Sequence, residues 1–524
     1  MEPVRLTPAV VTVDRPAEGW RGLLDGIGVA AGDSRGSGDL LAARGPAETL
    51  RAWAARRIAS GERVSRSTLS ARLGSDIALL DAAIGRQVDA VLHHPKFQAL
   101  EGSWRGLVWL VEQAAAANDQ TNRRPPVEIR LLSATKRELA RDQQGAVEFD
   151  RSALWRKVYE EEFGTAGGTP YGLLVCDHEF NNRPDDVSTL TGLSSVAAAA
   201  FAPLVVNPSP DLVGLDSFRQ LDALPTPDTF QAAPDFVKWQ ALRQREESRF
   251  LGLPLPRVLA RLPYDGWLGD ATLPSAPEGT WQDRGFRYRE AVDGSNRAQR
   301  LWMGSVWPFA GVVIREFGVS GWFADIRGGS RGVSGGGVVE SLPVDGFASV
   351  PSGESRRGPV EVFITEPVQA ELDEAGFIPL CTSASEGLAV FESNNSLHRP
   401  ATYDSSVASA NARISSMLQY VLCVSRFAHA LKVLARDKVG MFVDGASLER
   451  FLGDWISQYV TPDDQASAET RARMPLRAAR VEVHAEPGMP GSFKVIMRLQ
   501  PHFQLDRLDA TLRLVTTVRI SDRR

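Results

Sequence analysis

Apolar residues recur every three or four positions from Leu69 onward, at Leu69, Leu73, Ile77, Leu80, Ile84, Val88 and Val91. That spacing predicts an amphipathic helix with one face on a core. Pro95 ends it, because proline cannot continue the helical hydrogen-bond ladder. A second helix opens in "KFQALEGSWRGLVWLVEQAAAAN". From 127 to about 265 the pattern alternates. The short apolar runs "VEIRLLS", "YGLLVCD", "PLVVN" and "RVLARLPY" read as strands. The stretches "SALWRKVYEEEFG", "DVSTLTGLSSVAAAAFA" and "APDFVKWQALRQREESRFLG" between them read as helices. Such alternation predicts an α/β fold with a mostly parallel sheet core flanked by helices.

Residues 266–300 are loop-like, a helix is expected near 296–317, and "RGGSRGVSGGG" is a flexible loop. "VEVFIT", a short helix and "GFIPL" come next, then a long helical stretch from about Asp404 to Lys438. Ser447 is placed to cap the helix "LERFLGDWISQYV". The C-terminus changes character: Val481, Val483 and Ala485 alternate with Glu482, His484 and Glu486. Phe493, Val495, Met497 and Leu499 are interleaved with Lys494 and Arg498, and "PGMPG" lies between the two runs. Period-two alternation around a turn predicts a C-terminal antiparallel β unit. The N-terminus, rich in Gly, Pro and Ala, reads as a flexible arm. Its one apolar piece sets Trp20, Leu23, Leu24 and Ile27 at helical spacing. Gly22, Gly26 and Gly28 each cost that helix about 1 kcal/mol, so it would order only on a partner. The expected division is an arm over 1–64, α/β parts over 65–265 and 266–440, and a C-terminal helix with β-strands over 441–524.

Composition narrows the function. The 524 residues are 43% hydrophobic and 23% charged, enough for a sizeable core, and a net charge of −5 argues against bulk attraction to nucleic acid or anionic lipid. Cys176, Cys381 and Cys423 are far apart in apolar runs, which excludes a disulfide framework or CxxC zinc site and favours a reducing compartment. The first residues lack a basic stretch followed by an apolar one, and no window approaches 18 uninterrupted apolar residues. The expectation is a soluble, cytoplasmic protein with no membrane insertion.

No motif for chemistry converges. His93 and His94 diverge by about 100° on a helix and cannot share a metal, which needs a spacing of i, i+4. Trp104 and Trp109 are five apart, so one is expected in the core and the other against a neighbouring element or chain. "GVSGG" at 332–336 matches G-x-S-x-G around Ser334, but the next residues, "GVVESLPV", read as extended where a nucleophile elbow needs a helix. The Gly-rich loop matches no phosphate-binding motif. Asp185/Asp186 and Asp463/Asp464 sit where helix starts use acids, and His429 reads as a satisfied, half-buried histidine. No catalytic, cofactor or metal site is predicted, and the competing enzyme reading is an α/β hydrolase with Ser334 as nucleophile.

Longer stretches carry a resemblance. "LHHPKFQALEGSWRGLVWLV", "WRKVYEEEFGTAGGTPYGLLVCDHEF", "SSVAAAAFAPLVVNPSPDLVGLDSF", "WQALRQREESRFLGLPLPRVLARLPY", "ANARISSMLQYVLCVSRFAHALKVLARDKVG" and "PLRAARVEVHAEPGMPGSFKVIMRLQPHFQLDRLDATLRLVT" lie in this order over about 65–520. Together they resemble the large subunit of the type VI secretion contractile sheath. The resemblance implies a non-enzymatic subunit that pairs with a small sheath subunit. Copies would stack helically around an inner tube protein on a baseplate and contract to drive the tube outward, and a separate AAA+ unfoldase would disassemble the spent sheath. It places inter-subunit strands at Val481, Val483, Phe493, Val495 and Leu512. It also makes Trp20, Leu23, Leu24 and Ile27 candidates for unfoldase recognition, and Glu449, Arg450 and Asp454 candidates for tube contact. The tail sheath of a phage-derived particle is the related alternative.

Overall fold

The computed structural model describes residues 45–59, 65–119, 126–146, 148–165, 167–224, 226, 233–267, 287–292, 299–323, 325–329, 335–344, 346–350, 353–356, 358–382, 388–437, 445–463, 466–485, 492–502 and 512–519. The segment holding Trp20, Leu23, Leu24 and Ile27, the turn at 487–491, and Ser334 lie outside the described residues. The chain divides into two compact units, Met1–Gln98 with Pro263–Arg300, and Ala99–Leu262 with Leu301–Arg524.

In the smaller unit the helices Pro46–Ala59 and Arg66–Leu92 are linked by the Trp53 indole N–H, which donates to Asp76 at 2.9 Å. Ser65 and Thr68 form a reciprocal capping box at the start of the longer helix. Near its end, Asp89 accepts from the Tyr288 hydroxyl at 2.5 Å and from the Ala291 N–H at 3.1 Å. This fixes the ribbon Asp265–Trp267/Arg287–Arg289 to the helix. The predicted helix is present, but its apolar stripe is not on a core. Ala83 is its only buried residue among those described, while Ile77 and Val91 are about half exposed. Among the described residues of this unit, one further helix and one ribbon offer too little apolar surface to cover 27 residues of helix.

The larger unit holds the core. Leu174–Phe180, Leu204–Pro208 and Leu251–Gly252 form a three-stranded parallel sheet with the first strand at its edge. Helix Pro184–Ala200 crosses between the first two strands. It starts on Pro184 with Asp185 and Asp186 in its positive first turn, and ends at Phe201 in a left-handed conformation (φ 53°). A second, mixed sheet runs in the order Pro254–Leu255, Ile378–Thr382, Ala389–Phe391, Val338–Val339. Helix Val306–Ser320 shares one hydrophobic cluster with both sheets and with helix Pro95–Asp119. Glycines set how closely these two helices approach. A Cβ on Gly106 would enter the Trp307 ring, and one on Gly311 would stand 2.5 Å from the Trp109 ring. Leu190, Trp239, Leu253 and Phe377 fill a second cluster behind the parallel sheet.

The fold is therefore mixed α/β, with one wholly parallel core sheet and a second that is mixed. Among the described residues, parallel ladders form the 174–180/204–208/251–252 sheet and the pair 254–255/378–379, a single parallel bridge joins Val460 to Leu476, and the other ladders are antiparallel. Of "RVLARLPY" only Val258–Leu259 is a strand, and "VEIRLLS" at 127–133 forms none. The expected helix near 296–317 is Val306–Ser320. The long C-terminal helix is broken: Ser406–Ser415 stops, Met417 bridges to Asn395, and Leu418–Asp437 begins. Ser447 lies inside helix Gly445–Ser457 rather than at its cap.

Candidate assembly interface

The C-terminal alternation forms the sheet it predicts. Leu476–Ala485 pairs antiparallel with Ser492–Pro501, and that strand pairs with Leu512–Arg519. The register sets Val483 opposite Val495, Ala485 opposite Phe493, and Leu499 opposite Leu512. Because side chains alternate across a strand, Val481, Phe493, Val495, Met497 and Leu499 share one buried face. The other face carries Glu482 beside Arg480 at 3.3 Å and Arg498 at 3.7 Å. Such exposed pairs contribute about 0–1 kcal/mol each, so the apolar face holds the sheet in place.

Helix Gly445–Ser457 covers that face with Leu448, Leu452 and Ile456. Beyond them Phe427, Trp455 and Tyr459 gather around Trp322, whose ring stacks on Phe427 with centroids 4.6 Å apart. Gly445 is in contact range of Phe493, so the helix starts close against the strand. The three tube-contact candidates separate. Glu449 Oε2 accepts the Val483 N–H at 3.2 Å, whereas Arg450 and Asp454, four apart, stand exposed on the helix. The Val483 N–H therefore points away from the 492–501 strand. By the alternation of an antiparallel ladder, Ala479 and Val481 direct their backbone groups to the same outer edge. The beginning of the strand is closed, since Thr461 N–H donates to Leu476 O and Leu476 N–H to Tyr459 O. Among the described residues no other strand pairs with 479–485 on this side, where Glu449 takes the Val483 N–H, and a strand edge of this kind can accept another strand.

Several buried polar groups escaped sequence reasoning. Glu316 faces inward on the 306–320 helix, where burial pushes its carboxyl up to about 8 and the Ser320 hydroxyl donates to it at 2.6 Å. Asp373 is pushed up to about 6 by burial and accepts from the Ser393 hydroxyl. From helix Glu366–Glu374 it ties down a buried polar loop at Ser393–Ser396 whose backbone bonds Ser416 and Leu418. The one signal was the polar run "ESNNS", which nothing local distinguishes from a surface loop. Lys432 lies among Tyr159, Phe163 and Phe201, with its nitrogen 4.6–5.0 Å from their centroids.

The other chemical candidates are structural. His93 Nε2 lies 3.2 Å from Glu290 Oε1, and His94 Nδ1 accepts the Lys96 N–H at 3.3 Å. Trp109 is buried and donates to Ser341 O at 3.3 Å, while Trp104 is exposed. His429 is buried more fully than its pattern suggests. Its Nε2 is 3.0 Å from Ala200 O, and burial lowers its pKa to about 4. Burial raises all three thiols, Cys176 to about 11 and Cys381 and Cys423 to about 12. Among the described residues, no His, Cys, Asp and Glu side chains cluster to hold a metal, and no helix is long and apolar enough to cross a membrane.

Two family domains match the chain in sequence. The EvpB/VC_A0108 tail sheath N-terminal domain matches residues 74–398, and the EvpB/VC_A0108 tail sheath gpW/gp25-like domain matches residues 407–518. The type VI secretion system sheath protein TssC1 of Pseudomonas aeruginosa strain PAO1 is 37% identical over 445 residues, 84% of this chain and 85% of that protein. Among solved structures, a chain of the contracted helical sheath of the anti-feeding prophage aligns over 79% of both chains at 13% identity, with a TM-score of 0.29. A chain of that particle's baseplate aligns over 64% of this chain and 63% of its own length at 13% identity, with a TM-score of 0.27. Scores this low do not establish a common fold.

Proposed function

The chain belongs to the EvpB/VC_A0108 tail sheath family, and we infer that it is the large structural subunit of a contractile type VI secretion sheath. One observation carries this: 37% identity to a type VI sheath protein persists over 84% of the chain. Copies of the chain assemble with one another into the sheath. The strand edge at Ala479 and Val481 supports strand exchange between copies, with Val483 able to join if Glu449 releases its N–H, since backbone pairing gives directional contacts with little dependence on side chains. Val495, Phe493 and Leu512 belong to the same sheet and complete the proposed inter-subunit layer.

In this reading the chain pairs with a small sheath subunit, the pairs wind around an inner tube on a baseplate in the bacterial cytoplasm, and contraction propels the tube with its effectors. Contacts that do not close into a ring generate such a helical tube. Arg450 and Asp454, on the exposed side of their helix, face the tube. A separate AAA+ unfoldase grips Trp20–Ile27, within an arm over 1–64 that precedes α/β parts over 65–265 and 266–440 and the assembly region over 441–524. The chain itself turns over no substrate. Co-expression with the small sheath subunit of the same system, followed by electron microscopy, tests this: tubular filaments are expected. A folded pair that forms neither complex nor filament overturns it.

A further inference from the structure

A lysine ammonium is strongly hydrated and normally stands in water or beside a carboxylate. Lys432, on helix Leu418–Asp437, is held by aromatic rings instead. Its Nζ lies 4.6 Å from the ring centroid of Tyr159, 5.0 Å from that of Phe163 and 4.8 Å from that of Phe201. It donates to the Tyr159 hydroxyl at 3.1 Å. Among the described residues no carboxylate pairs with it. Glu162, the neighbour of Phe163, is taken by Arg130 and by the Thr169 N–H. Lys432 and all three rings are partly exposed, so the cage is not sealed from solvent.

The cage is built from irregular backbone. Tyr159 sits in a π-helical turn, Arg156–Glu160, and Phe163 in the α turn Glu161–Gly164 after it, with their rings 4.6 Å apart. Phe201 holds a left-handed conformation at φ 53°, which a bulky side chain rarely adopts. Single π turns and strained residues gather at functional positions, where a side chain has to be aimed. Burial lowers the Lys432 ammonium to about 8. At pH 8 about half of it is then neutral amine, against roughly one in three hundred for an ordinary lysine at 10.5. His429, three residues before it, is neutral at that pH because burial lowers it to about 4, and burial raises the Tyr159 phenol. Arg426 lies over Phe317 and Trp322, and Arg156, Lys157, Glu160 and Glu161 of the facing segment are exposed. A desolvated amine without an ion-pair partner is the form in which lysine acts as a nucleophile.

We propose that Lys432 is a covalent modification site, at which the amine takes an acyl group from a small activated donor, an acyl phosphate or an acyl thioester. The nitrogen lone pair attacks the donor's carbonyl carbon. A C–N bond forms, and the bond from that carbon to the phosphate oxygen or thiol sulfur breaks. The phosphate or thiolate leaves with the electron pair, and the nitrogen gives up one proton to water. The resulting amide is uncharged. The three rings then lose their cation, and the tie between helix Leu418–Asp437 and the 156–164 segment weakens. The site stands independently of the sheath reading.

The test treats the full folded chain at pH 8 with acetyl phosphate and, separately, with acetyl-coenzyme A, and follows acetylation at each lysine by peptide mass spectrometry. Lys432 is expected to react about tenfold or more faster than the exposed Lys157 and Lys238 with at least one donor, and the donor that reacts names the class. Its rate should level off above about pH 8, and its preference should vanish in denaturant, where every lysine titrates near the ordinary 10.5. Phe163→Leu, which removes one ring, should move that levelling to higher pH. A Lys432 that reacts no faster than Lys157 and Lys238 with either donor, or whose rate keeps climbing to pH 10, overturns the proposal. A folded Phe163→Leu variant with an unmoved pH profile overturns the cage as the source of the reactivity.

Discussion

Glu316 offers a sharp test of the buried polar interior, through substitution by glutamine. The side chain is 5% exposed and accepts from the Ser320 hydroxyl, which donates at 2.6 Å. Desolvation pushes the carboxyl from its ordinary 4.5 up to about 8, the neighbouring Asp325 pushes the same way, and Arg315 and the Ser320 bond oppose them. The folded state therefore holds a proton that the unfolded chain has released. Stability from this group is complete below about pH 4.5 and is lost as pH rises through about 8. At about 1.4 kcal/mol per pH unit, that interval corresponds to a loss of roughly 5 kcal/mol at most. Glutamine keeps the shape and the bond from Ser320 but does not titrate. Glu316→Gln should match the parent at pH 5 and melt several degrees higher at pH 9, read by tryptophan fluorescence during heating. Other acids titrate equally in both proteins and cancel in the difference. A melting difference that stays flat from pH 5 to 9 would refute the reasoning.

Leu499→Ala, at a fully buried site in the C-terminal sheet, should cost about 2–5 kcal/mol by cavity formation, seen as a lower denaturant midpoint. Gly311→Val would drive a branched side chain into the Trp109 ring, and a loss of about 1–3 kcal/mol or more from overpacking should appear as reduced soluble yield and melting temperature. Glu449→Gln replaces the carboxylate that accepts the Val483 N–H, so this one amide should exchange faster while its strand neighbours toward 492–501 keep their rates. The three thiols, all raised to about 11–12 by burial, should resist iodoacetamide at pH 8 in the folded chain and react fully in denaturant.

What was legible in the sequence was local. Alternation at 481–485 and 493–499 predicts both the C-terminal hairpin and its buried face, because pleat and burial repeat every two residues. The helix Pro184–Ala200 and the strand after it arise from a proline start and a fully apolar run. Pairing between distant segments was not legible. The two-residue strands at 254–255 and 338–339 join a sheet with 378–382 and 389–391 over more than a hundred residues of chain, and no local period records that. "VEIRLLS" and the stripe of the 66–92 helix were misassigned for a different reason. Their patterns are those of buried elements, but what would bury them is not within the described chain. Long-range ties also decide the histidines, since His93 meets Glu290 and His429 meets Ala200.

The bond from Tyr288 to Asp89 bears on synthesis at the ribosome. The helix that ends at Leu92 emerges roughly two hundred residues before the ribbon that clasps it. All of 99–262 is translated in the interval. The early helix therefore waits, with its Asp89 carboxylate unclasped, while 99–262 of the larger unit is still being made. Slower elongation through 99–262 would prolong that vulnerable wait, and an early-acting chaperone that favours apolar helices would find its client there.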